Sequence, residues 1–225
     1  MTMQRIDKII RSERKTLALE ITPDAQLVVR APFLMSEDKI LSYVSRKHAW
    51  IDTKKQYIQK KSYVLDKKRF VNGESFLFLG ITYRLKLIDV GEIKLSDFLE
   101  FPKKYLPYAG EELVKWYRGQ AKDKISQRIG LYAKKVGLNY TMVNITNAQK
   151  RWGSCNHKGI LNFSWRLMTM PLRVIDYVVV HELVHILEKN HSKSFWDKVK
   201  IILPDYGKLK KLLREKGNLC RFDPF

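Results

Sequence analysis

Residues 178–191 constrain this chain more than any other stretch of its sequence. They read VVVHELVHILEKNH, a His-Glu-x-x-His pattern followed after five residues by a third histidine. On a helix, positions four apart lie on one face, so His181 and His185 can direct two imidazoles at one ion. Glu182 follows the first histidine, where its carboxylate can reach a water held by the metal. This spacing is typical of zinc hydrolases, in which such a glutamate acts as general base.

The residues that flank this pattern support a buried helix with a third ligand after it. Apolar residues 177–180 precede the first histidine, as expected of a helix that must hold its ligands rigidly. Asn190 favours the left-handed conformation of a helix terminus, so we expect the helix to end there. A chain that turns back at this point can bring His191 to the same ion. Three protein ligands would then leave a fourth position open for water.

Two other side chains compete with His191. Glu188 lies three residues after His185 on the same helix face, so its carboxylate is a candidate third ligand or a hydrogen-bond partner that orients a histidine. His157 follows Cys155 in a predicted turn, where exposure is more common than ligation. We favour His191 because it lies beyond the predicted chain reversal.

The composition is that of a globular protein from a reducing compartment. Hydrophobic residues make up 45% of the 225 positions, which is ample for a core. Cys155 and Cys220 show no paired spacing, which argues against a disulfide scaffold and against a rival cysteine zinc site. The N-terminus lacks the apolar run of a signal peptide, and no apolar stretch is long enough to span a membrane. We predict a cytoplasmic protein with no membrane partner and leave its oligomeric state open.

The net charge of +20 makes a polyanionic partner a second hypothesis. A charge of this size attracts nucleic acid. However, the basic residues are scattered in twos and threes, and no recognised nucleic-acid module accompanies them. Nucleic acid binding through a basic surface is therefore a possible additional property.

The predicted fold class is α+β, with two parts. Residues 1–108 form a small β-rich unit: a hairpin of strands 16–21 and 26–31 around a turn at 22–25, helices after Ser36 and at about 48–61, and strands at 76–88 and 93–95. Prolines near residues 102–107 mark the boundary.

Residues 109–225 are predicted to form the metal-binding domain. A long helix from Glu111 to about Val136 is closed by Gly137. Short strands follow at 141–145 and 159–165, with Arg-Trp-Gly-Ser-Cys at 151–155 between them. The metal helix begins near Pro171. A helix capped by Ser192 and a basic helix at about 207–216 complete the domain.

The order of these parts resembles the YgjP-like metallopeptidase family. It is also similar, more distantly, to SprT-like zinc metalloproteases. The resemblance rests on the long helix, the Arg-Trp-Gly-Ser-Cys segment, His-Glu-x-x-His-x5-His and the following His-Ser-x-x-Phe-Trp, over roughly residues 110–215. It implies a zincin-like fold, Zn²⁺ ligands at His181, His185 and His191, and a catalytic Glu182.

The predicted function is zinc-dependent hydrolysis of peptide bonds in a protein or peptide substrate. Zinc lowers the pKa of bound water, and Glu182 takes its proton. The strand at 159–165 precedes the metal helix and is predicted to pair with an extended substrate. Arg151, Trp152 and Cys155 are expected near the substrate-binding cleft. Asp197 is either a hydrogen-bond acceptor that orients a metal ligand or a surface residue of its helix. The alternative function is a basic, nucleic-acid-associated binding protein in which the zinc site only holds the fold.

Overall fold

The chain folds into two compact units, Met1–Asp66 and Lys67–Phe225. The computed structural model describes residues 5–22, 25–62 and 68–217, with only the backbone described over 57–62. The predicted turn residues Pro23 and Asp24, and Cys220, lie outside the described residues.

The first unit contains a three-stranded sheet and two helices. Its elements are β1 (Lys8–Ser12), β2 (Ala18–Ile21), β3 (Leu27–Pro32), α1 (Glu37–Arg46) and α2 (His48–Ser62). The strand order is β1-β3-β2, with β1 parallel and β2 antiparallel to β3. The predicted hairpin is therefore confirmed as β2 and β3, whereas β1 was missed. The core of this unit consists of small and branched apolar side chains: Leu27, Val29, Ala31, Ile40, Val44 and Ile51.

The second unit begins with a four-stranded sheet. Its strands are β4 (Ser75–Phe78), β5 (Ile81–Ile88), β6 (Lys94–Leu95) and β7 (Leu99–Pro102), in the order β4-β5-β7-β6. Gly80 turns the chain between β4 and β5 with a φ of 82°. A β-carbon there would lie 2.7 Å from Cγ of Pro171, so glycine satisfies both the backbone conformation and the close approach.

The long helix α3 (Ala109–Val136) forms the centre of this unit's core. Its buried positions recur at three- and four-residue steps: Leu113, Tyr117, Ala121, Ile125, Ile129 and Tyr132. Gly137 closes the helix in the left-handed conformation with a φ of 66°, as predicted.

A second sheet and three helices carry the predicted metal site. The elements are β8 (Met142–Thr146), β9 (Gly153–Cys155), β10 (Ile160–Ser164), α4 (Leu172–Leu187), α5 (Lys193–Ile202) and α6 (Tyr206–Lys216). The strand order is β8-β10-β9, with β10 parallel to β8 and antiparallel to β9. The central strand is therefore β10, and β9 lies at an edge.

The division between the units lies elsewhere than the sequence suggested. We predicted a boundary near residue 108, whereas the structure divides the chain at 66/67. Aromatic side chains of the β4–β7 sheet, such as Phe76 and Phe101, belong to the same hydrophobic cluster as Tyr117 of α3. Prolines 102 and 107 mark only the end of β7 and a short 3-10 segment, Lys103–Tyr108.

The predicted α+β class is confirmed by these mixed sheets and helices. In the part of the chain that the structure describes, no helix combines the length and the apolarity needed to cross a membrane. The cytoplasmic location stays a prediction.

Candidate metal centre

Helix α4 positions two histidines of the predicted site. It begins after Pro171, and most of its residues from Val174 to Val184 are buried. Such a helix is held on several sides by packing, so its side chains have little freedom to move. The four-residue spacing places the rings of His181 and His185 side by side, with centroids 4.8 Å apart.

The chain leaves α4 earlier than predicted. The helix ends at Leu187, and Glu188 is extended with a φ of −122°. Asn190 is not among the described non-glycine residues with positive φ, so the prediction of a left-handed terminus there was wrong. Instead, the ammonium group of Lys189 donates to the last carbonyls of the helix, 3.0 Å from that of His185. A cation is favourable at this end of a helix.

Although α4 ends at Leu187, the loop that follows it still brings His191 next to His181 and His185. Nε2 of His191 lies 3.0 Å from Nε2 of His181 and 3.2 Å from Nε2 of His185. Nε2 of His181 and of His185 are also 3.2 Å apart. The three atoms therefore form a nearly equilateral triangle, which the structure builds from a helix and the loop that follows it.

The orientation of His185 is set by a backbone group. Its Nδ1 lies 2.9 Å from the carbonyl oxygen of Glu188. A carbonyl can only accept, so Nδ1 carries the proton and the lone pair of Nε2 faces the other two histidines. Fixing the tautomer of a ligand histidine in this way is a common device of metal sites. Nδ1 of His181, by contrast, is buried without a hydrogen-bond partner among the described residues.

The carboxylate of Glu188 does not join the histidines. One of its oxygens accepts from Ser194, at 2.8 Å, and from the ammonium group of Lys198, at 2.7 Å. Both partners belong to α5, so this carboxylate ties the His191 loop to the next helix. Glu188 thus acts on the histidines through its carbonyl and through the loop it anchors.

Glu182 lies beside His181 and is 5% exposed. Its carboxylate faces the edge strand β9, where a β-carbon on Gly153 would lie 2.6 Å from Oε1. Gly153 is the glycine of the Arg-Trp-Gly-Ser-Cys segment. A side chain at position 153 would collide with this carboxylate, so the segment needs glycine there. The sequence alone did not reveal this role.

Burial shifts the pKa values of the two neighbours His181 and Glu182. It raises the pKa of Glu182 to about 8 and, together with the nearby imidazoles and Lys210, lowers the pKa of His181 to about 3. Burial also lowers the pKa of His191. Low dielectric surroundings disfavour every charged form. Burial therefore favours the neutral form of His181 and His191, the form in which imidazole binds a metal.

Aromatic rings of α5 support the three imidazoles. The ring of Phe195 lies with its centroid 4.6–4.9 Å from all three. Trp196 stacks on His191, with centroids 5.6 Å apart, and Tyr206 of α6 stacks on Trp196 at 5.5 Å. These rings restrict the rotation of His191, the ligand candidate that lies on a loop. The sequence analysis named Phe195 and Trp196 only as part of the His-Ser-x-x-Phe-Trp segment and gave them no role at the metal site.

The triangle of nitrogens fits a metal ion. Three ligands of a tetrahedral zinc ion, each about 2.0–2.1 Å from it, lie about 3.3–3.4 Å from one another. The observed separations of 3.0–3.2 Å are close to this spacing. These three histidines also form the group that the described residues offer for a metal.

The remaining candidates take up positions around this centre. Arg151, His157 and Asp197 are exposed. The partly buried thiol of Cys155 has its pKa raised by burial, so it stays protonated at neutral pH. Trp152 is half-buried and lines a groove formed with α6.

Comparison with known proteins agrees with the geometry. A family model described as YgjP-like, metallopeptidase domain, matches residues 15–216. No curated protein matches the chain.

Two solved structures of archaeal metallopeptidase zymogens are similar to part of the chain. The zymogen of Pyrococcus abyssi abylysin is 17% identical, with a TM-score of 0.37, and the match covers 40% of this chain and 93% of that one. The zymogen of Methanocaldococcus jannaschii jannalysin is 15% identical, with a TM-score of 0.38, over 41% of this chain and 95% of that one.

Proposed function

The chain belongs to the YgjP-like metallopeptidase family, and from this premise we propose that it is a zinc-dependent peptidase with Glu182 as its general base. The observation that carries the proposal is the triangle of Nε2 atoms from His181, His185 and His191. Three imidazole nitrogens with an open fourth position are the ligand set of catalytic rather than closed structural zinc sites.

Zinc, when bound, supplies a Lewis acid that polarises a carbonyl and makes water a stronger acid. His181, His185 and His191 would hold the ion through their Nε2 atoms. Glu182 accepts a proton from the attacking water and donates it to the leaving amine. Burial favours the protonated carboxyl of Glu182, whereas a bound cation nearby would favour the carboxylate, which is the form that can act as a base.

The edge strand β9 is our candidate for binding the substrate backbone. The sequence pointed to residues 159–165 for this role, but β10 pairs with β8 on one side and with β9 on the other. Both of its backbone edges are therefore used, and that prediction was wrong. Among the described residues β9 pairs only with β10, so a substrate strand can pair with its other edge. This strand lies beside Glu182, because the carboxylate packs against Gly153.

The test compares wild type with Glu182→Gln, and with Glu111→Gln as a control at an exposed position of α3. We expect the wild type to cleave an unfolded protein, and the cleavage to disappear after chelation and return with zinc. Glu182→Gln should retain one zinc per chain and lose at least 100-fold in kcat, because the general base is gone. Glu111→Gln should match wild type.

The alternative, a structural zinc site in a nucleic-acid-binding protein, predicts different results. The zinc-loaded wild type would then cleave no member of a broad peptide panel. It would also bind an oligonucleotide with an affinity that falls steeply as salt rises.

A further inference from the structure

A groove of about 480 Å³ lies between Trp152 and one face of α6. Besides Trp152 its lining consists of Gly207, Lys210, Lys211, Leu213, Arg214 and Gly217. Three of these side chains are cationic, and none of the described lining residues is acidic. The groove is therefore positively charged.

Helical spacing explains why the cations face the same way. Positions 210 and 211 each lie three or four residues from both 207 and 214, so these four positions share one face of α6. A β-carbon on Gly207 would meet no atom within 4 Å, so this end of the face is open, whereas one on Gly217 would lie 3.0 Å from the Trp152 ring. Glu215 lies 3.9 Å from the ammonium group of Lys211, but this pair is exposed and offsets little of the charge.

The groove adjoins the metal centre at two points. Trp152 immediately precedes Gly153, the residue in contact with Glu182. On the opposite wall, the ammonium group of Lys210 lies 3.9 Å from the centroid of the Trp196 ring, which stacks on His191. A ligand in the groove would therefore extend from the place where the bond is cleaved.

The size of the charged face favours a peptide over a nucleic acid. From Lys210 to Arg214 the helix rises only about 6 Å, at 1.5 Å per residue. An extended peptide covers this distance with about two residues, at 3.2–3.4 Å each. Nucleic acid affinity instead depends on many phosphate contacts along a longer basic track.

We propose that Lys210, Lys211 and Arg214 form a subsite for acidic side chains of the substrate, so that the peptidase prefers peptides with Asp or Glu near the cleaved bond. The inference rests on the proposed peptidase function, whose substrate class it names. Attraction across an open groove is partly screened, so the preference weakens as ionic strength rises.

The first experiment uses peptides that are identical except for two positions on either side of the cleaved bond, occupied by Glu, Gln or Lys. We expect kcat/KM to fall in the order Glu, Gln, Lys, with roughly 5- to 10-fold between the first two. The double variant Lys211→Glu with Arg214→Glu should remove or invert the Glu-to-Gln ratio. A ratio that does not change in this variant would overturn the inference.

Matched variants separate the groove from overall charge. The double variant Lys122→Glu with Lys134→Glu makes the same change of charge at exposed positions of α3, and its Glu-to-Gln ratio should equal that of wild type. If charge reversal in the groove disturbs folding, Lys211→Gln with Arg214→Gln provides the milder change. It should reduce the ratio toward 1.

A binding experiment tests the groove apart from cleavage. Glu182→Gln protein is titrated with the fluorescent Glu and Gln peptides and with a single-stranded oligonucleotide. Tighter binding of the Glu peptide that Lys211→Glu abolishes supports the subsite, even if no peptide is cleaved and the peptidase proposal fails. Equal binding of both peptides, or binding of the oligonucleotide alone, refutes the subsite and leaves the cleavage result to decide the peptidase proposal.

Discussion

A β-carbon on Gly153 would lie 2.6 Å from Oε1 of Glu182, closer than non-bonded atoms approach. The edge strand of the second sheet is thus packed directly against the candidate general base. Such a contact fixes where the carboxylate can lie, and reaction rates depend strongly on that position.

Gly153→Ala should therefore impair catalysis while leaving the histidines in place. The added methyl group forces the carboxylate or the strand to move by several tenths of an ångström or more. We expect kcat to fall roughly 100-fold, as displacements of about 1 Å commonly produce, with zinc content unchanged. Steady-state kinetics and metal analysis of the same preparation measure both quantities.

Gly130→Ala is the control for this substitution. A β-carbon at this exposed position of α3 meets no atom within 4 Å. Alanine there should raise the free energy of unfolding by about 0.5–1 kcal/mol and leave kcat unchanged. If Gly153→Ala retains full activity, its contact with Glu182 has no role in catalysis.

His191→Ala should weaken metal binding more than any change at Glu188. Removing one of three nitrogen ligands leaves two from α4, and we expect the dissociation constant for zinc to rise by more than about 100-fold. Competition with a coloured chelator measures it.

Glu188→Gln tests the competing assignment. Its carboxylate anchors the His191 loop to Ser194 and Lys198. We expect a rise in the zinc dissociation constant of no more than about 10-fold, because the carbonyl that orients His185 remains. A loss of zinc in Glu188→Gln equal to that in His191→Ala would make Glu188 a ligand.

The stability of the metal-free protein should depend on pH through Glu182. The pKa of this carboxyl is about 8 in the folded protein and 4.5 as its reference value. Between these values the folded state binds more protons than the unfolded state, so the free energy of unfolding decreases as pH rises. The part due to Glu182 is complete below about pH 4.5 and is lost as pH passes 8.

Glu182→Gln should remove this part of the pH dependence. Between pH 5 and pH 8, we expect the free energy of unfolding of wild type to decrease by roughly 2–4 kcal/mol relative to the variant. Urea denaturation in the presence of a chelator gives both values. Parallel profiles for the two proteins would show that the carboxyl is not held protonated by burial.

Asp176 should be important for stability and not for chemistry. Its carboxylate is 1% exposed and accepts two hydrogen bonds from Arg128 of α3, at 2.5 and 2.9 Å. Arg128→Ala removes both of these hydrogen bonds from the buried carboxylate and leaves Arg173 3.7 Å away. We expect a loss of roughly 3 kcal/mol in the free energy of unfolding, as is typical when one partner of a buried pair is removed.

A surface pair provides the comparison. Lys115 and Glu112 lie 3.6 Å apart on the same helix, with the lysine side chain 79% exposed. Lys115→Ala should change stability by less than about 0.5 kcal/mol. Equal effects of the two substitutions would mean that the Arg128–Asp176 pair contributes no more than a surface pair.

Elements with strong local signals were predicted well. The periodic apolar positions of α3 and the left-handed Gly137 depend only on neighbouring residues. The same holds for Ser192, which caps α5 by accepting from the backbone N–H of Phe195 at 3.3 Å. Such hydrogen bonds close within one turn of helix, so the sequence contains all the information they need.

Short strands were predicted less completely. The sequence analysis did not identify β1, β7 or β9, which have three to five residues each. A strand of this length has no hydrogen bonds within itself and forms only where a partner strand lies next to it. For the same reason, the sequence could not predict the strand order β8-β10-β9, in which β10 has no edge left for a substrate.

The spacing of histidines and glutamate along the chain determined which residues could hold a metal and which could act as a base. Tertiary packing decided what surrounds them: the contact of Gly153 with Glu182, the rings of Phe195 and Trp196, and the basic face of α6 beside Trp152. Helical periodicity is a local property that repeats every few residues. These contacts join residues from β9, α4, α5 and α6, and only the folded chain brings such elements together.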